Sequence, residues 1–444
     1  MRSENASPLQ AALTAAIVTT ATFAKSFVPF YLIGSTPIFV ATCALGLMLI
    51  ARASQRLADQ ASYAPDIWAA LVLLYSVVTA NFLFSSLHQV PVTHLLGILI
   101  FHGLFLLFGF AAAGSLQAVF IMLLLQACAY LIIVARYVIR FGDMMQNGFL
   151  QDVFGVGVPE LITTMHQHIG TALALALLAM GGLRSKWARL LAWATLPFVL
   201  SFMFHIAART AMVALLGGLV FLAGAALWTR SRKIALASLC ILLLSGMLTS
   251  GLFYRYALKD QTVDKVAADA ISRTIREIQS RDPGFRLQIW SRAWQRISSQ
   301  PDRLAFGRGI GVYPIDEGFG APNWLLRPAE GNKYYPHDLH LELLYETGIP
   351  GFLIFTVLAL LPLFFSLKHW NQLSAQERAA IAIYVFFLVT VEISGSFAYS
   401  YDFQFFYGLA AGVVALKRWE LTKTGAGLMP ANASRVLEIE KTAT

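Results

Sequence analysis

Charged side chains are scarce in this chain of 444 residues. Only 13% of the residues are Asp, Glu, Lys or Arg, while 57% are hydrophobic. A soluble globular protein carries roughly 25% charged residues, and an ordinary hydrophobic core does not explain so large a deficit. The composition therefore excludes a typical soluble protein and indicates a protein embedded in a membrane.

Cysteine is also scarce. The chain has three cysteines, Cys43, Cys128 and Cys240, and each of them lies inside an apolar run. This arrangement excludes a disulfide framework and a cysteine-based metal site. It predicts instead that the three side chains serve as small core residues.

Long apolar runs, in contrast, are abundant. Stretches of about 18 or more apolar residues are long enough to cross a bilayer. Here they are continuous rather than alternating, which favours helices over a closed β-barrel. We predict an all-α polytopic membrane protein with about twelve transmembrane helices and one large helical periplasmic loop. The predicted helices occupy residues 11–33, 36–51, 67–84, 92–113, 115–138, 164–183, 187–204, 208–228, 233–253, 350–367, 379–397 and 402–416.

One polar stretch determines the predicted domain organisation. Residues 254–347 are the only part of the chain large enough to form a soluble subdomain. We expect transmembrane helices 1 to 9 in residues 1–253, the loop subdomain in 254–347, helices 10 to 12 in 348–417, and a cytoplasmic tail in 418–444.

The distribution of basic residues predicts the orientation. The net charge is +9, and in a membrane protein such an excess reflects cytoplasmic loops rather than nucleic-acid binding. Lys and Arg cluster at alternate ends of the predicted helices, at Arg52, Arg56, Arg184, Lys186, Arg189, Arg230, Arg232, Lys233, Lys368, Arg378, Lys417, Arg418 and Lys423. The intervening loops at 34–35, 85–91 and 398–401 contain none. Both termini are therefore predicted to be cytoplasmic, and the 254–347 loop to lie outside.

Five cations depart from this pattern because they fall on the outer side: Lys25, Arg136, Arg140, Arg209 and Arg286. Arg286 begins an amphipathic helix predicted for about residues 285–299, where a cation opposes the helix dipole. Cations near the bilayer are costly and are usually paired or functional, although some reach toward lipid phosphates. Several on one side predict a bound anion, for which a lipid-linked phosphate is the natural candidate.

The most informative segment is 335–351, which follows a glycine stretch at 306–313. The glycine stretch lacks the strand-to-helix context of a phosphate cradle, so we interpret it as a tight turn. Pro336 suits the first position of a helix. His337 would then lie in the first turn, where the dipole disfavours an imidazolium. A neutral histidine can act as a general base; the alternative is a histidine satisfied by local hydrogen bonds.

This segment resembles the motif of the O-antigen ligase and polymerase family. The residues that carry the resemblance are Pro336, His337, Leu341, Glu346, Gly348 and Gly351. Asp338 stands where the family usually has Asn. The stretch from Arg286 to Trp290, the glycine stretch and the region around Arg209 are also similar, so that the resemblance covers roughly residues 200–400.

The resemblance implies an O-antigen ligase in the bacterial inner membrane, with its active site facing the periplasm. Such an enzyme transfers O-antigen glycan from undecaprenyl diphosphate to the lipid A–core oligosaccharide. It implies that His337 is the general base and that the arginines stabilise the diphosphate. The candidate diphosphate ligands are Arg136, Arg140, Arg209, Arg286 and Lys25. Direct displacement predicts inversion at the anomeric carbon, and no nucleotide, cofactor, metal or nucleic acid is expected beside the two substrates and membrane lipids.

Three other functions remain open from the sequence. Within the family these are an O-antigen polymerase, which uses a second lipid-linked glycan as acceptor, and a protein O-oligosaccharyltransferase. From a different class, the chain could be a transporter of an anionic lipid. His340 is the rival to His337 as base, and Glu392 is an acid deep in the eleventh predicted helix.

Overall fold

The computed structural model describes residues 7–20, 35–141, 159–183, 185–206, 208–231, 233, 284–322 and 335–423. Within these ranges the regular secondary structure is helical, with no β-strand. The α-helices are α1 (Pro8–Val18), α2 (Ser35–Ala61), α3 (Pro65–Asn81), α4 (Val92–Ala112), α5 (Leu116–Phe141), α6 (Pro159–Gly182), α7 (Lys186–His205), α8 (Arg209–Arg230), α9 (Gly284–Ser298), α10 (Pro301–Phe306), α11 (Tyr313–Asp316), α12 (Leu339–Lys368), α13 (Ala375–Ser394) and α14 (Tyr401–Lys423).

The predicted transmembrane helices correspond to α2–α8 and α12–α14. One boundary differs strongly, because α2 continues to Ala61. Helix α12 contains both the short helix predicted to begin at Pro336 and the transmembrane helix predicted for 350–367, with a break at Gly348 between them. The predicted first helix, at 11–33, lies partly outside the described residues, and the ninth, at 233–253, lies almost entirely outside them. Five helical stretches in the described part are long and apolar enough to cross a membrane, at Pro65–Ser86, Val92–Ile132, Lys186–Phe204, Arg209–Arg230 and Leu339–Lys368. The chain is thus a multi-pass membrane protein, while the number twelve stays a prediction.

Helix α14 packs closely against α4 near the middle of the bundle. Glycines permit this approach, because a methyl group at Gly408 would overlap the carbonyl of Leu106 and one at Gly109 would overlap the carbonyl of Phe405. Between apolar helices in lipid there is little hydrophobic driving force, so small residues that bring backbones together are a main source of association. Gly412, one turn after Gly408, continues this contact surface toward Ala113.

Helices α12, α13 and α14 contact one another near the centre of the bundle. Helix α3 packs mainly on α12, and α4 packs on α14 and α2. Helices α6 and α8 pack on α13 and on each other, and α5 packs on α6. Helix α1 packs on both α2 and α5 and so connects the two groups.

One end of the bundle, which we call the basic end, carries several of the lysines and arginines that predicted the orientation. Arg418 binds Asp66, at the start of α3, through two bonds of 2.5 and 2.8 Å. Lys417 lies 3.9 Å from Glu377, at the start of α13. Arg56 of α2 donates to the carbonyl of Ala111 at 3.0 Å. These contacts place the starts of α3 and α13 and the ends of α2, α4 and α14 at the basic end.

The opposite end, which we call the loop end, carries residues 284–322 and 335–338. Helix α13 reaches it at Ser394, which accepts a hydrogen bond from Arg286. Helix α6 runs between the two ends: Gly170 packs against Ala208, just before α8, whereas Gly182 packs against the first turns of α5 and α13. The end of α5 and the start of α8 therefore both lie at the loop end.

The cysteines only partly match their prediction as core residues. Cys43 in α2 is half-buried, but Cys128 is exposed on α5, so the prediction is wrong for Cys128. The apolar run around Cys128 identifies a helix in contact with lipid, and periodicity along an all-apolar helix does not distinguish its buried side from its lipid side. Cys240 lies outside the described residues.

Candidate active site

Helix α12 is broken at Gly348, where φ is 71° and ψ is −165°. This left-handed conformation is accessible to glycine because it has no Cβ atom. The break exposes two carbonyl groups of the preceding turn to other partners. The N–H groups of Arg308 and Gly309 donate to the carbonyls of Tyr345 and Glu346 at 2.9 and 3.0 Å. The glycine stretch 306–313 is thus docked on the break, and its interpretation as a tight turn is confirmed by a further bond from the N–H of Val312 to Gly309.

Asn81, the last residue of α3, holds the same glycine stretch from the other side. Its amide nitrogen donates to the carbonyl of Phe306 at 2.5 Å, and its amide oxygen accepts from the N–H of Ile310 at 2.9 Å. The side chain is buried, so these bonds satisfy polar groups that have no access to water. Asn81 is not among the site residues predicted from the sequence. The available signal was a single amide at the outer end of an otherwise apolar helix.

The first turn of α12 begins after His337 rather than before it. Asp338 is the N-cap, and its carboxylate accepts the N–H of Leu341 at 2.8 Å. The prediction that Pro336 is the first helical residue and that His337 lies in the first turn is therefore wrong. A proline can begin a helix, but an aspartate two residues later is the stronger starting signal because it supplies an acceptor for the free N–H groups. The helix dipole consequently gives no reason for a neutral His337.

Asp338 differs from the usual Asn of the family without changing the capping function. Asn and Asp are about equally favourable N-caps, and replacement of either by alanine typically costs about 1 kcal/mol. We therefore expect Asp338→Asn to keep both stability and activity, and Asp338→Ala to lower the free energy of unfolding by about 1 kcal/mol. Thermal unfolding in detergent measures both variants. A loss of activity in Asp338→Asn, with unchanged stability, would show that the carboxylate has a role beyond capping.

His337 is buried and has an unusual backbone conformation. Its φ angle of 60° is the only positive value of a non-glycine residue in the described ranges. Such residues are uncommon, cost of order 1–3 kcal/mol, and cluster at functional sites where the surrounding structure holds them. Trp290 of α9 supplies one such constraint, because its indole N–H donates to the carbonyl of Pro336 at 2.9 Å.

Tyr335 packs against His337, with their ring centroids 4.6 Å apart in an edge-to-face arrangement. Burial raises the pKa of the Tyr335 hydroxyl well above its usual value. Tyr335 therefore stays neutral at physiological pH and presents a hydroxyl rather than a phenolate beside His337. On its other side its ring lies 6.2 Å from that of Tyr399.

The buried side chain of Glu342 fixes the loop between α13 and α14 near this segment. Glu342, one turn into α12, accepts the hydroxyl of Ser396 and the N–H of Phe397, both at 3.0 Å. The same loop carries Tyr399, the neighbour of Tyr335. The 335–338 segment thus rests on a loop that α12 itself holds in place.

The structure describes the five predicted diphosphate ligands in different detail. Arg286 lies one helical turn from Trp290 on α9, donates to the hydroxyl of Ser394 at 3.1 Å, and exerts an electrostatic effect on Tyr335. Arg209 is the first residue of α8, at the loop end. Arg136 and Arg140 belong to the last turns of α5, also at the loop end, but their side chains lie outside the described residues, as does all of Lys25.

Residues 199–356 match the family model described as O-antigen ligase. This part of the chain belongs to the O-antigen ligase family. The match covers Arg209, Arg286, the docked glycine stretch and His337, and it ends shortly after the break at Gly348. No curated protein matches the chain. The O-antigen ligase segment, together with the apolar helices, identifies a membrane enzyme of the glycosyltransferase type that acts in lipopolysaccharide assembly.

His340 of α12 and Glu392 of α13 form a pair inside the helix bundle. The Nδ1 atom of His340 lies 2.7 Å from the carboxylate of Glu392, and its Nε2 atom lies 3.1 Å from the hydroxyl of Thr356. Both ring nitrogens are therefore engaged, one by Glu392 of α13 and the other by Thr356 further along α12 itself. This arrangement disfavours His340 as the base and gives Glu392 an interhelical partner.

Proposed function

We propose that the protein transfers O-antigen glycan from undecaprenyl diphosphate to a hydroxyl of the lipid A–core oligosaccharide. The observation that carries this proposal is the location of His337 and Arg286 in the ligase-family segment. The base candidate is held in an unusual conformation by Trp290, and the cation lies one helical turn from Trp290 on the same helix. Membership of the family supports a lipid-linked donor and a lipid A–core acceptor.

In the proposed reaction, His337 accepts the proton of the acceptor hydroxyl. The oxygen then forms a bond to the anomeric carbon of the donor, while the bond from that carbon to the diphosphate oxygen breaks with both its electrons. Undecaprenyl diphosphate leaves, and the configuration at the anomeric carbon is inverted because attack and departure occur on opposite faces. The donor bond is already activated, so neither a nucleotide nor a metal is needed.

Negative charge develops on the diphosphate as this bond breaks. Guanidinium groups stabilise such charge through short, charge-assisted hydrogen bonds in paired geometry. We assign this role first to Arg286, whose neighbours Ser394 and Tyr335 lie at the candidate site. Arg209, Arg136, Arg140 and Lys25 are proposed to complete the diphosphate site from the loop end of the bundle.

A transfer assay with the purified protein tests the proposal. The protein is incubated with lipid-linked glycan and lipid A–core, and the product is identified by its mass and anomeric configuration. Glycan attached to lipid A–core with inverted configuration supports the ligase. Extension of the lipid-linked glycan alone would indicate a polymerase, and movement of the lipid across vesicles without transfer would indicate a transporter.

The orientation makes a separate prediction. The basic end carries the lysines and arginines of the short loops, which supports a cytoplasmic position for that end. Reporter fusions after Lys423 are expected to give a cytoplasmic signal, and fusions within residues 254–347 a periplasmic one. A periplasmic signal after Lys423 would put the candidate site on the wrong side of the membrane for assembled O-antigen and would exclude the proposed function.

A further inference from the structure

Four aromatic rings, which we call the aromatic row, lead from the candidate base into the bundle. The row begins with His337 and Tyr335, whose ring centroids lie 4.6 Å apart, and continues to Tyr399, 6.2 Å from Tyr335. The ring of Tyr399 in turn lies 6.3 Å from that of His94, in the first turn of α4. Centroid separations of about 4.5–7 Å are the favourable range for aromatic pairs. His337 is thus packed at the end of a continuous row of rings.

The inner end of the aromatic row is fixed by the fold. His94 is buried, and a methyl group at Gly311 would lie 3.0 Å from its Cδ2 atom. His94 therefore packs against the glycine stretch that is docked on the break of α12. Tyr399 lies in the loop that Glu342 holds through two hydrogen bonds. The two inner rings thus belong to parts of the chain that long-range contacts keep in place.

The backbone that carries the two outer rings is stiff. Pro336 separates Tyr335 from His337, and its own ring fixes its φ angle at about −65°. A proline also restricts the residue before it, here Tyr335, to extended conformations. The indole of Trp290 holds the carbonyl of Pro336 at 2.9 Å. The backbone therefore determines where the two side chains begin, so that the edge-to-face contact between their rings is built into this segment.

We propose that Tyr335 is a positioning residue that holds the imidazole of His337 in the orientation needed to accept the proton, an inference that rests on the proposed role of His337 as base. The backbone alone does not set this orientation, because rotation about the bond from Cβ to the ring has two broad minima. Turning the imidazole over exchanges the positions of its nitrogen and carbon atoms. A base acts only when its nitrogen lies within hydrogen-bond reach of the hydroxyl, so the packed neighbour decides whether it can act.

Tyr335→Leu tests the ring, and Tyr335→Phe tests the hydroxyl. Leucine fills part of the same space but offers the imidazole no aromatic surface. Because a misplacement of about 1 Å can lower a rate about 10²-fold, Tyr335→Leu is expected to lower kcat about 10²-fold with the KM of both substrates unchanged. Tyr335→Phe is expected to keep the natural kcat. A phenylalanine variant as impaired as the leucine variant would assign the effect to the hydroxyl and overturn the proposal.

A double-mutant cycle separates positioning from a general loss of structure. In the His337→Asn background there is no imidazole to orient, so adding Tyr335→Leu is expected to cause no further loss of kcat. Residues that act through one another show such non-additive effects. Losses that multiply would show that Tyr335 acts independently of His337 and would contradict the proposal.

Phe352→Leu is the matched control. Phe352 makes the same kind of edge-to-face contact with the rival histidine, His340, at a centroid distance of 5.3 Å. The substitution therefore removes an equivalent ring from the other histidine of this helix. It is expected to leave kcat unchanged, and a loss equal to that of Tyr335→Leu would mean that any ring removed from α12 or its approach disturbs the enzyme.

Chemical labelling of His337 provides a readout that does not depend on transfer. Diethyl pyrocarbonate modifies accessible imidazole nitrogens, and mass spectrometry of the digested protein gives a separate rate for each histidine. The rate at His337 is expected to rise several-fold in Tyr335→Leu and to stay unchanged in Tyr335→Phe, with the exposed His88 as internal reference. An unchanged or lower rate in Tyr335→Leu would show that the ring does not hold the imidazole. Full turnover in His337→Asn would instead overturn the proposed function without altering these rates, so the two failures are distinguishable.

Discussion

Replacing His337 with alanine is expected to lower the turnover of glycan transfer by about 10²–10⁴-fold, the usual contribution of general-base catalysis. A sugar hydroxyl is a poor nucleophile, and loss of the base leaves its proton without an acceptor as the new bond forms. Binding of the donor is expected to persist, because the arginines proposed to hold the diphosphate are unchanged in this variant. Turnover numbers, together with separate donor-binding measurements, check both statements.

The backbone at His337 allows a matched variant. The φ angle of 60° lies in the left-handed region, which Asn tolerates better than most residues. His337→Asn should therefore keep the local conformation while it removes the base, and it should fold normally and be as inactive as His337→Ala. Loss of activity in alanine but not in asparagine would mean that the conformation of the segment, rather than the imidazole, is what matters.

His340→Ala serves as the competing test. Both ring nitrogens of His340 are engaged, by Glu392 and Thr356. Its removal should reduce stability more than turnover, because it leaves the half-buried Glu392 carboxylate without this partner. Near-normal turnover in His337→Ala together with an inactive His340→Ala would transfer the catalytic assignment to His340. Activity in both would exclude a histidine base.

Arg286→Ala is expected to lower turnover by about 10²–10³-fold, the range found when one preorganised donor to a developing negative charge is removed. Arg286→Lys is also expected to be impaired, because lysine presents a point charge where the guanidinium offers a planar fork. Arg286 donates a hydrogen bond to the Ser394 hydroxyl at 3.1 Å, and both substitutions would disturb this bond. Steady-state rates with saturating donor measure the effect.

Arg303→Ala is the control for Arg286. Arg303 lies in the same 284–322 segment but is half exposed on its surface, with Asp302 3.8 Å away, and exposed pairs of this kind contribute little to stability. Equal losses in the two variants would mean that the overall positive charge of the segment matters rather than the position of Arg286. Full activity of Arg286→Ala would exclude it from the diphosphate site.

The strongest sequence predictions were those that rest on local composition. The bounds of α4 and α9 were predicted to within about one residue. Apolar runs and amphipathic periodicity indicate directly both that a segment is helical and whether it lies in lipid or on a surface. The start of α12 was predicted wrongly, because Pro336 and Asp338 are both acceptable starting signals two residues apart. Capping geometry decides between them, and the chain uses the carboxylate of Asp338.

The sequence predicted which residues belong to the candidate site better than it predicted how they are arranged. His337 and Arg286 were identified from the motif and from charges in unusual positions, but their neighbours were not. Trp290, Asn81 and Glu342 act through partners tens or hundreds of residues away. No periodicity or local spacing encodes such pairings.

The sequence by itself determined that this protein is an all-α membrane protein with an O-antigen ligase motif, because burial in lipid demands long apolar helices and the motif is local. Only the tertiary structure decided how the motif is assembled. The break at Gly348 frees two carbonyls that the docked glycine stretch then satisfies. Asn81 and Glu342 fix the surrounding loops. These features depend on which helices pack together, and among uniformly apolar helices that choice is made by close packing and buried hydrogen bonds rather than by hydrophobicity.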